Sequence, residues 1–231
     1  MRNELETPVA MRDIITALEP VSIKRSFKKR SILLYQGEAP RTAYALKKGV
    51  IKVYSVNNAG EEQIAAFHIA GEIFPAQWIF NKATSALYYY EALTDCELLA
   101  VPKDECTRLI LEDPKLTRSA LDYFVTNYTG LMMRVTALEQ ARAREKIMFT
   151  LYYLLFRYGR EVSNGNYSVN LHLTHTIIAS LVGLTRETTS TELSRLRRQK
   201  ILTYGGQEYT VNKAALERAL GEDNFKDVIV R

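Results

Sequence analysis

Cysteine is scarce in this sequence. Cys96 and Cys106 are the only two among 231 residues, which is too few for a disulfide framework and too few for the four thiolates of an iron–sulfur cluster. Cys96 lies in an apolar run and Cys106 follows two acidic residues, so we expect neither thiol to be reactive. Disulfide scaffolds and iron–sulfur redox proteins are therefore excluded.

Long apolar runs are also missing. No segment approaches the ~20 apolar residues that a membrane helix needs. The first residues carry Arg2, Glu4 and Glu6, where a signal peptide would have an apolar core. The sequence predicts a soluble cytoplasmic protein with no membrane partner.

Sequence patterns typical of catalysis and metal binding are absent as well. We find no nucleophile motif, no glycine-rich phosphate loop and no cluster of metal ligands. Of the three histidines, His172 and His175 have no acidic residue or cysteine near them in the sequence that could complete a metal site. Haem ligation by His68 is conceivable, but a single histidine in a strand is usually structural. We predict that the protein is not an enzyme, with no catalytic residues, no metal and no cofactor.

What the sequence does contain is the composition of an ordinary globular protein. Hydrophobic residues make up 47% of the chain, and the net charge is +5. A basic balance of this size permits a polyanionic partner such as a nucleic acid without requiring one.

The local pattern of the chain changes near residue 103. After a short amphipathic helix at 11–18, short apolar segments alternate with turn signals such as Asn57–Gly60 up to about residue 110. Many short strands in succession predict an antiparallel barrel or roll. From Lys103 the apolar period becomes helical, so we predict an α+β fold. The predicted strands are 31–35, 42–46, 50–54, 63–67, 86–90 and 97–101.

Apolar residues then recur at alternating steps of three and four, as in a coiled-coil seam. This pattern predicts a parallel dimerisation helix. The alternative is a single helix that buries the same stripe against its own roll. The seam positions are Leu121, Phe124, Tyr128, Leu131, Val135 and Leu138.

The most informative segment is 173–202, which predicts two short helices joined by a tight turn. Thr174 can cap the first helix, Gly183 suits a left-handed residue at its end, and Thr185 can cap the second helix. The second helix would bury Thr189, Leu193 and Leu196. Its outer face would then carry short polar side chains, followed by a basic end, as a DNA-reading helix requires. The alternative is an ordinary helical hairpin. The predicted outer face consists of Arg186, Glu187, Ser190, Thr191 and Ser194.

The remaining segments complete a predicted DNA-binding domain. A charged hinge at 140–146 leads into a helix at 147–158 and a loop at 163–166. The Gly205–Gly206 pair predicts a hairpin, or wing, after the two short helices, and residues 212–221 form a last helix. We therefore divide the chain into a β-roll sensor domain (1–115), a dimerisation helix (116–141) and a winged helix-turn-helix domain (142–231).

Together these features resemble the cyclic-AMP receptor protein/FNR (CRP/FNR) superfamily of bacterial transcription regulators. The strongest match is Gly183–Thr188, and weaker matches in the roll include Gly37-Glu38 and Ala70–Glu72. The resemblance implies a double-stranded, cyclic-nucleotide-binding-like β-roll, a homodimer on a pseudo-palindromic DNA operator, and contacts with RNA polymerase.

The resemblance also implies which residues read DNA. Arginine and glutamate at the positions of Arg186 and Glu187 contact bases in the family, and their chemistry suits guanine and cytosine, respectively. A second base-reading arginine of the family is replaced by Thr191, with Ser190 before it, so we expect an operator that only partly overlaps the family half-site. The expected backbone contacts are Thr174, Thr185, Arg195, Arg197, Arg198 and Lys200.

The positions that hold cyclic nucleotides in the family have lost their polar groups. In the register of the resemblance they are Pro75-Ala76 and Ala86-Leu87. A phosphate buried without a cation or hydroxyl donors is costly, so we do not expect cyclic AMP to bind. Two readings stay open, namely a pocket for an apolar or aromatic effector and a filled core in a constitutively DNA-competent regulator. The candidate pocket residues are Trp78, Ala86, Leu87, Tyr88, Leu131 and Met132.

Overall fold

The computed structural model of the protein describes residues 9–169, 171–206 and 208–221. The chain forms two compact units, of which the first ends at Val125 and the second begins at Thr126. This boundary lies within one long helix, so the three-part division predicted from the sequence stays a prediction. Among the described residues, no helix combines the length and apolarity needed to span a membrane.

The first unit contains an antiparallel β-roll, as the sequence predicted. One of its sheets has the strand order β1-β8-β3-β6 and the other has the order β2-β7-β4-β5. Its strands are β1 Ile23–Phe27, β2 Ile32–Leu34, β3 Ala43–Lys48, β4 Ile51–Val56, β5 Glu62–His68, β6 Ile73–Phe74, β7 Tyr89–Ala92 and β8 Cys96–Val101.

Two details of the roll differ from the sequence prediction. The strand predicted at 86–90 begins only at Tyr89, which is the first residue of this segment to pair with β4. The individual strands β1 and β6 were not predicted. β1 lies at the edge of its sheet with most side chains exposed, so its sequence lacks the apolar alternation that marks a half-buried strand.

Side chains from both sheets meet in the interior of the roll. Leu34 and Val53 come from one sheet, and Leu46 and Leu98 come from the other. Phe74 stacks on Tyr90 with the ring centroids 5.3 Å apart. The interior of the roll is therefore a packed, partly aromatic core.

Helices cover the other face of the β1-containing sheet. α1 (Val9–Leu18), α3 (Lys103–Glu112) and the start of α4 (Pro114–Glu139) contribute to a second core with Leu99, and a short helix, α2 (Ala76–Ile79), packs beside them. Leu98 belongs to one core and Leu99 to the other, because successive side chains of a strand point to opposite faces. β8 is therefore buried on both of its faces, which explains its continuous apolar run from Leu98 to Val101.

Helix α4 keeps a row of large apolar side chains exposed. Phe124, predicted as a seam residue, is half-buried and packs edge-on against Phe80 at 5.5 Å. Val125 and Met132 are exposed instead, although the sequence prediction did not include them. The exposed apolar residues of α4 are Leu121, Val125, Tyr128, Leu131, Met132, Val135 and Leu138.

The second unit contains the remaining helices and a third antiparallel sheet, with the strand order β11-β12-β10-β9. Helix α5 begins at Ala143, four residues before the predicted start at Ile147. The predicted loop at 163–166 is the turn of a hairpin whose strands the sequence prediction missed. The elements are α5 Ala143–Tyr158, β9 Gly159–Ser163, β10 Asn166–Val169, α6 His175–Val182, α7 Arg186–Arg198, β11 Leu202–Gly205, β12 Glu208–Asn212 and α8 Lys213–Leu220.

Candidate nucleic-acid interface

Local signals fix the turn between α6 and α7. Thr174 Oγ1 accepts a hydrogen bond from the backbone N–H of Ile177 at 3.1 Å, and Thr185 Oγ1 accepts one from Thr188 at 3.2 Å. Gly183 ends α6 in the left-handed conformation, with φ of 67° and ψ of 39°. A Cβ at this residue would meet no other atom, so it is the backbone conformation that favours glycine here. These features confirm the predicted helix-turn-helix.

Helix α7 is buried on one face, as predicted. Thr189, Leu193 and Leu196 are fully buried, and the neighbouring Glu192 retains only 7% of its exposure. Of the predicted outer face, Arg186, Glu187, Thr191 and Ser194 are exposed, while Ser190 is half-buried. The beginning of α7 therefore presents a guanidinium, a carboxylate and hydroxyls to solvent, the group types that hydrogen-bond to base edges.

Ser190 contacts a residue of the preceding helix. Nδ1 of His175, the first residue of α6, lies 3.1 Å from Ser190 Oγ. The same imidazole lies edge-on to Tyr204 of β11, with the ring centroids 5.3 Å apart. Burial, assisted by the nearby positive charge of Arg186, lowers the pKa of His175 below its ordinary value. His175 is therefore held in its neutral form at neutral pH.

The predicted backbone-contact cations have different surroundings. Arg195 Nη1 lies 2.5 Å from Glu192 Oε1 within α7. Arg197 lies over the ring of Tyr204, 4.9 Å from its centroid. Arg198 and Lys200 are exposed just after them. The basic end of α7 thus combines cations that support the fold with cations that face solvent.

The wing forms where the sequence predicted it. In the pairing of β11 with β12, Leu202 lies opposite Val211 and Gly205 lies opposite Glu208. Gly206, in the turn, has a φ of 66°. Tyr204 of one strand stacks on Tyr209 of the other at 5.2 Å. β12 also pairs with β10, so the wing is an extension of the third sheet.

The long helix is tied to this interface within the second unit. Arg134 Nη2 donates to the carbonyl oxygen of Leu181, in the last turn of α6, at 3.0 Å. A cation at the C-terminal end of a helix also interacts favourably with the helix dipole. The part of α4 after Val125 therefore contacts the first helix of the helix-turn-helix directly.

The candidate pocket residues lie in both units, and those of the first unit do not form one cluster. Ala86 and Tyr88 pack in the interior of the roll, whereas Trp78 belongs to the core beneath the helices. Leu87 is exposed. Leu131 and Met132 are exposed on α4 in the second unit. The effector pocket stays a prediction.

His68 has an extensive environment within the roll. Its Nδ1 lies 2.6 Å from Oε2 of the buried Glu72, which also accepts a hydrogen bond from Tyr123 at 3.3 Å. The imidazole stacks on Phe74 with the ring centroids 4.9 Å apart. Across the described part of the chain, no group of three or more His, Cys, Asp or Glu side chains is arranged to hold a metal ion. These contacts support a structural role for His68.

Comparison with known proteins agrees with this arrangement. Residues 24–113 match the cyclic nucleotide-binding domain family, and residues 145–219 match the Crp-like helix-turn-helix domain family. Regulatory protein HlyX of Actinobacillus pleuropneumoniae is 27% identical over 190 residues, which cover 82% of this chain and 78% of that protein. The fumarate and nitrate reduction regulatory protein of Vibrio cholerae is 28% identical over 199 residues, covering 86% and 78% of the two chains.

A solved structure shares the fold. FixK2 from Bradyrhizobium japonicum superposes with a TM-score of 0.71 at 22% identity, covering 86% of this chain and 96% of that one. The two matched families occur in the order of the roll and the helix-turn-helix described above. The chain belongs to the CRP/FNR superfamily of DNA-binding transcription regulators, and the relatives named above are regulatory proteins rather than enzymes.

Proposed function

We propose that the protein acts as a homodimer that reads a pseudo-palindromic DNA operator through α7. The observation that carries this proposal is the division of α7, whose polar start is exposed while Thr189, Leu193 and Leu196 are buried. In this proposal Arg186, Glu187, Ser190 and Thr191 contact base edges. The two half-sites lie ~10–11 bp apart, because a two-fold symmetric dimer places its recognition helices one helical turn apart.

The exposed face of α4 supports the dimer. Its apolar side chains range from 40% exposed at Val135 to 64% at Tyr128. A continuous apolar stripe of this kind is rarely left in water by a soluble protein. A second copy of α4 would cover it along a two-fold axis, since both helices present the same residues. The bond from Arg134 to Leu181 supports a mechanical link between this seam and the DNA-reading helices.

The proposed role of the roll is to sense an apolar or aromatic effector other than a cyclic nucleotide. Pro75, Ala76, Ala86 and Leu87 stand where the family holds the ribose and the cyclic phosphate, and their side chains offer no hydrogen-bonding group to either. A buried phosphate would lack a compensating charge there. This loss of polar partners favours a different effector class.

A second candidate function is effector-independent DNA binding. The stack of His68, Phe74 and Tyr90 favours it, since these rings and the surrounding aliphatic residues fill the interior of the roll. In that case the dimer is competent to bind DNA as folded, and its abundance sets its regulatory output. RNA polymerase is the expected partner in both cases.

Selection from random duplex DNA tests the proposal. The purified, effector-free protein is equilibrated with the DNA pool at ~0.15 M salt, where nonspecific phosphate contacts are weakened. An enriched palindrome with half-sites one helical turn apart supports effector-independent binding. Enrichment only after addition of small molecules extracted from cells supports the effector model, with cyclic AMP as a probe expected to have no effect. No enrichment under either condition contradicts sequence-specific DNA binding.

A further inference from the structure

His175 supports the proposed DNA-reading surface through side-chain contacts with α7 and β11. It is the first residue of α6, but its half-buried imidazole contacts α7 through Ser190 Oγ at 3.1 Å and β11 through the ring of Tyr204. Tyr204 is itself fixed by stacking on Tyr209. The imidazole is therefore held by side chains from two other elements, at hydrogen-bonding distance from a proposed base-reading hydroxyl.

The hydrogen bond between these two side chains determines what Ser190 can offer to DNA. A serine hydroxyl has one proton to donate and two lone pairs that accept. If its proton points to His175, only lone pairs remain for a base. If His175 donates to the oxygen instead, the hydroxyl proton is free to point to a base.

The protonation state of His175 decides between these two arrangements. A neutral imidazole nitrogen is more basic than a hydroxyl oxygen, so the favoured bond in the neutral state runs from the Ser190 hydroxyl to Nδ1. In the imidazolium ion both ring nitrogens carry hydrogen and neither can accept. His175 must then donate to Ser190, and the serine proton turns away from the ring.

We propose that His175 is a positioning residue that determines whether the Ser190 hydroxyl accepts or donates a hydrogen bond toward DNA. With neutral His175, Ser190 accepts a hydrogen bond from a base amino group, such as N4 of cytosine. With protonated His175, Ser190 donates to a base acceptor, such as O6 or N7 of guanine. This inference rests on the proposed function, because it requires α7 to face the major groove.

The charges around His175 place its titration on the acid side of neutrality. Burial beside Tyr204 opposes protonation, and so do the charge of Arg186 of α7 and the positive end of the α6 dipole. Arg197 lies over the Tyr204 ring and adds a further positive charge nearby. Bound DNA phosphates act in the opposite direction and favour the imidazolium ion.

The test is a base-preference measurement at two pH values. Each base pair of the selected operator is changed in turn, and competitive binding by wild type and by Ser190→Ala identifies the pair that Ser190 reads. The affinity ratio for cytosine against guanine at that position is then measured at about pH 8 and at the lowest pH at which the wild type stays folded and binds the operator, because the pKa of His175 is lowered. His175→Gln keeps a polar side chain that does not titrate, and His172→Asn is the matched control for an exposed histidine of the same domain.

The expected result is a preference for cytosine of about fivefold at the higher pH, the value of one hydrogen bond, which is lost or reversed at the lower pH. His172→Asn should behave as wild type, and Ser190→Ala should show no preference at either pH. His175→Gln should show the same ratio at both pH values, while its melting temperature confirms that it folds.

The outcomes separate this inference from the function on which it rests. Selective operator binding with a pH-independent ratio overturns the role of His175 and leaves the proposed function intact. The same holds if His175→Gln retains the wild-type pH response, or if Ser190→Ala changes the preference at no base pair. Absence of any selective DNA binding overturns the proposed function and this inference together.

Discussion

Arg195 Nη1 lies 2.5 Å from Glu192 Oε1, one helical turn away on α7. The arginine is about half exposed, but the carboxylate is buried, and within the described part of the chain its Oε2 has no hydrogen-bond partner. A buried carboxylate with a single cationic partner depends on that partner. Arg195 therefore supports the fold of the recognition helix, in addition to any phosphate contact that it makes.

Arg195→Ala should destabilise the protein. We expect the free energy of unfolding to fall by about 1–2 kcal/mol, because the change leaves a buried carboxylate without its partner, while the exposure of Arg195 limits the loss. Arg198→Ala is the matched control, since Arg198 is exposed in the same turn; it should leave stability within about 0.5 kcal/mol of wild type. Urea denaturation of both variants measures the difference. Equal stability of the two would show that Glu192 does not depend on Arg195.

Arg186→Ala should weaken DNA binding and reduce its sequence specificity. Loss of one guanidinium from the exposed start of α7 should cost about 1–3 kcal/mol of binding free energy at the selected operator and relax the preference at one base pair. Ser194→Ala, also exposed on α7, should change affinity by much less. Titration of labelled operator and of its single-pair variants gives both quantities. An unchanged preference at every position would remove Arg186 from the base contacts.

Leu131→Glu should dissociate the dimer. A charge in the middle of the α4 seam must be desolvated on association, which costs several kcal/mol when no partner is available. Asp122→Lys, a charge change outside the exposed apolar stripe of the same helix, should leave the dimer intact. Sedimentation velocity distinguishes the two species. A Leu131→Glu protein that still sediments as a dimer would place the interface elsewhere.

The sequence was sufficient to predict features that depend on neighbouring residues. The caps at Thr174 and Thr185 and the left-handed Gly183 act within a few residues of the chain, and the buried face of α7 follows from the helical period. Residue types at these positions carry most of the information that fixes them. For this reason the helix-turn-helix could be located to within a residue or two.

Features that depend on tertiary contacts could not be predicted. A three-four spacing is satisfied with either Phe124 or Val125 in the seam, and only the packing of Phe124 against Phe80 decides between them. His175 and Ser190 are separated by fifteen residues and meet through the crossing of α6 and α7. β9 was missed because its mostly exposed side chains lack an apolar pattern, and its pairing with β10 defines it.

The two cysteines should be inert toward thiol reagents in the folded protein. Burial raises the pKa of Cys106 to about 12 and also raises that of Cys96, so the reactive thiolate is scarce near neutral pH. We expect a disulfide reagent to label neither thiol at about pH 8 and both after denaturation, when their pKa values return to about 8.5.

The raised pKa values of the two thiols also predict that protein stability depends on pH. As the pH rises above the unfolded value, the unfolded thiols lose protons while the folded thiols keep them, so the free energy of unfolding falls with increasing pH. Replacement of Cys106 by alanine should reduce this alkaline slope. Rapid labelling of native protein, or an alkaline slope unaffected by that change, would contradict the burial argument.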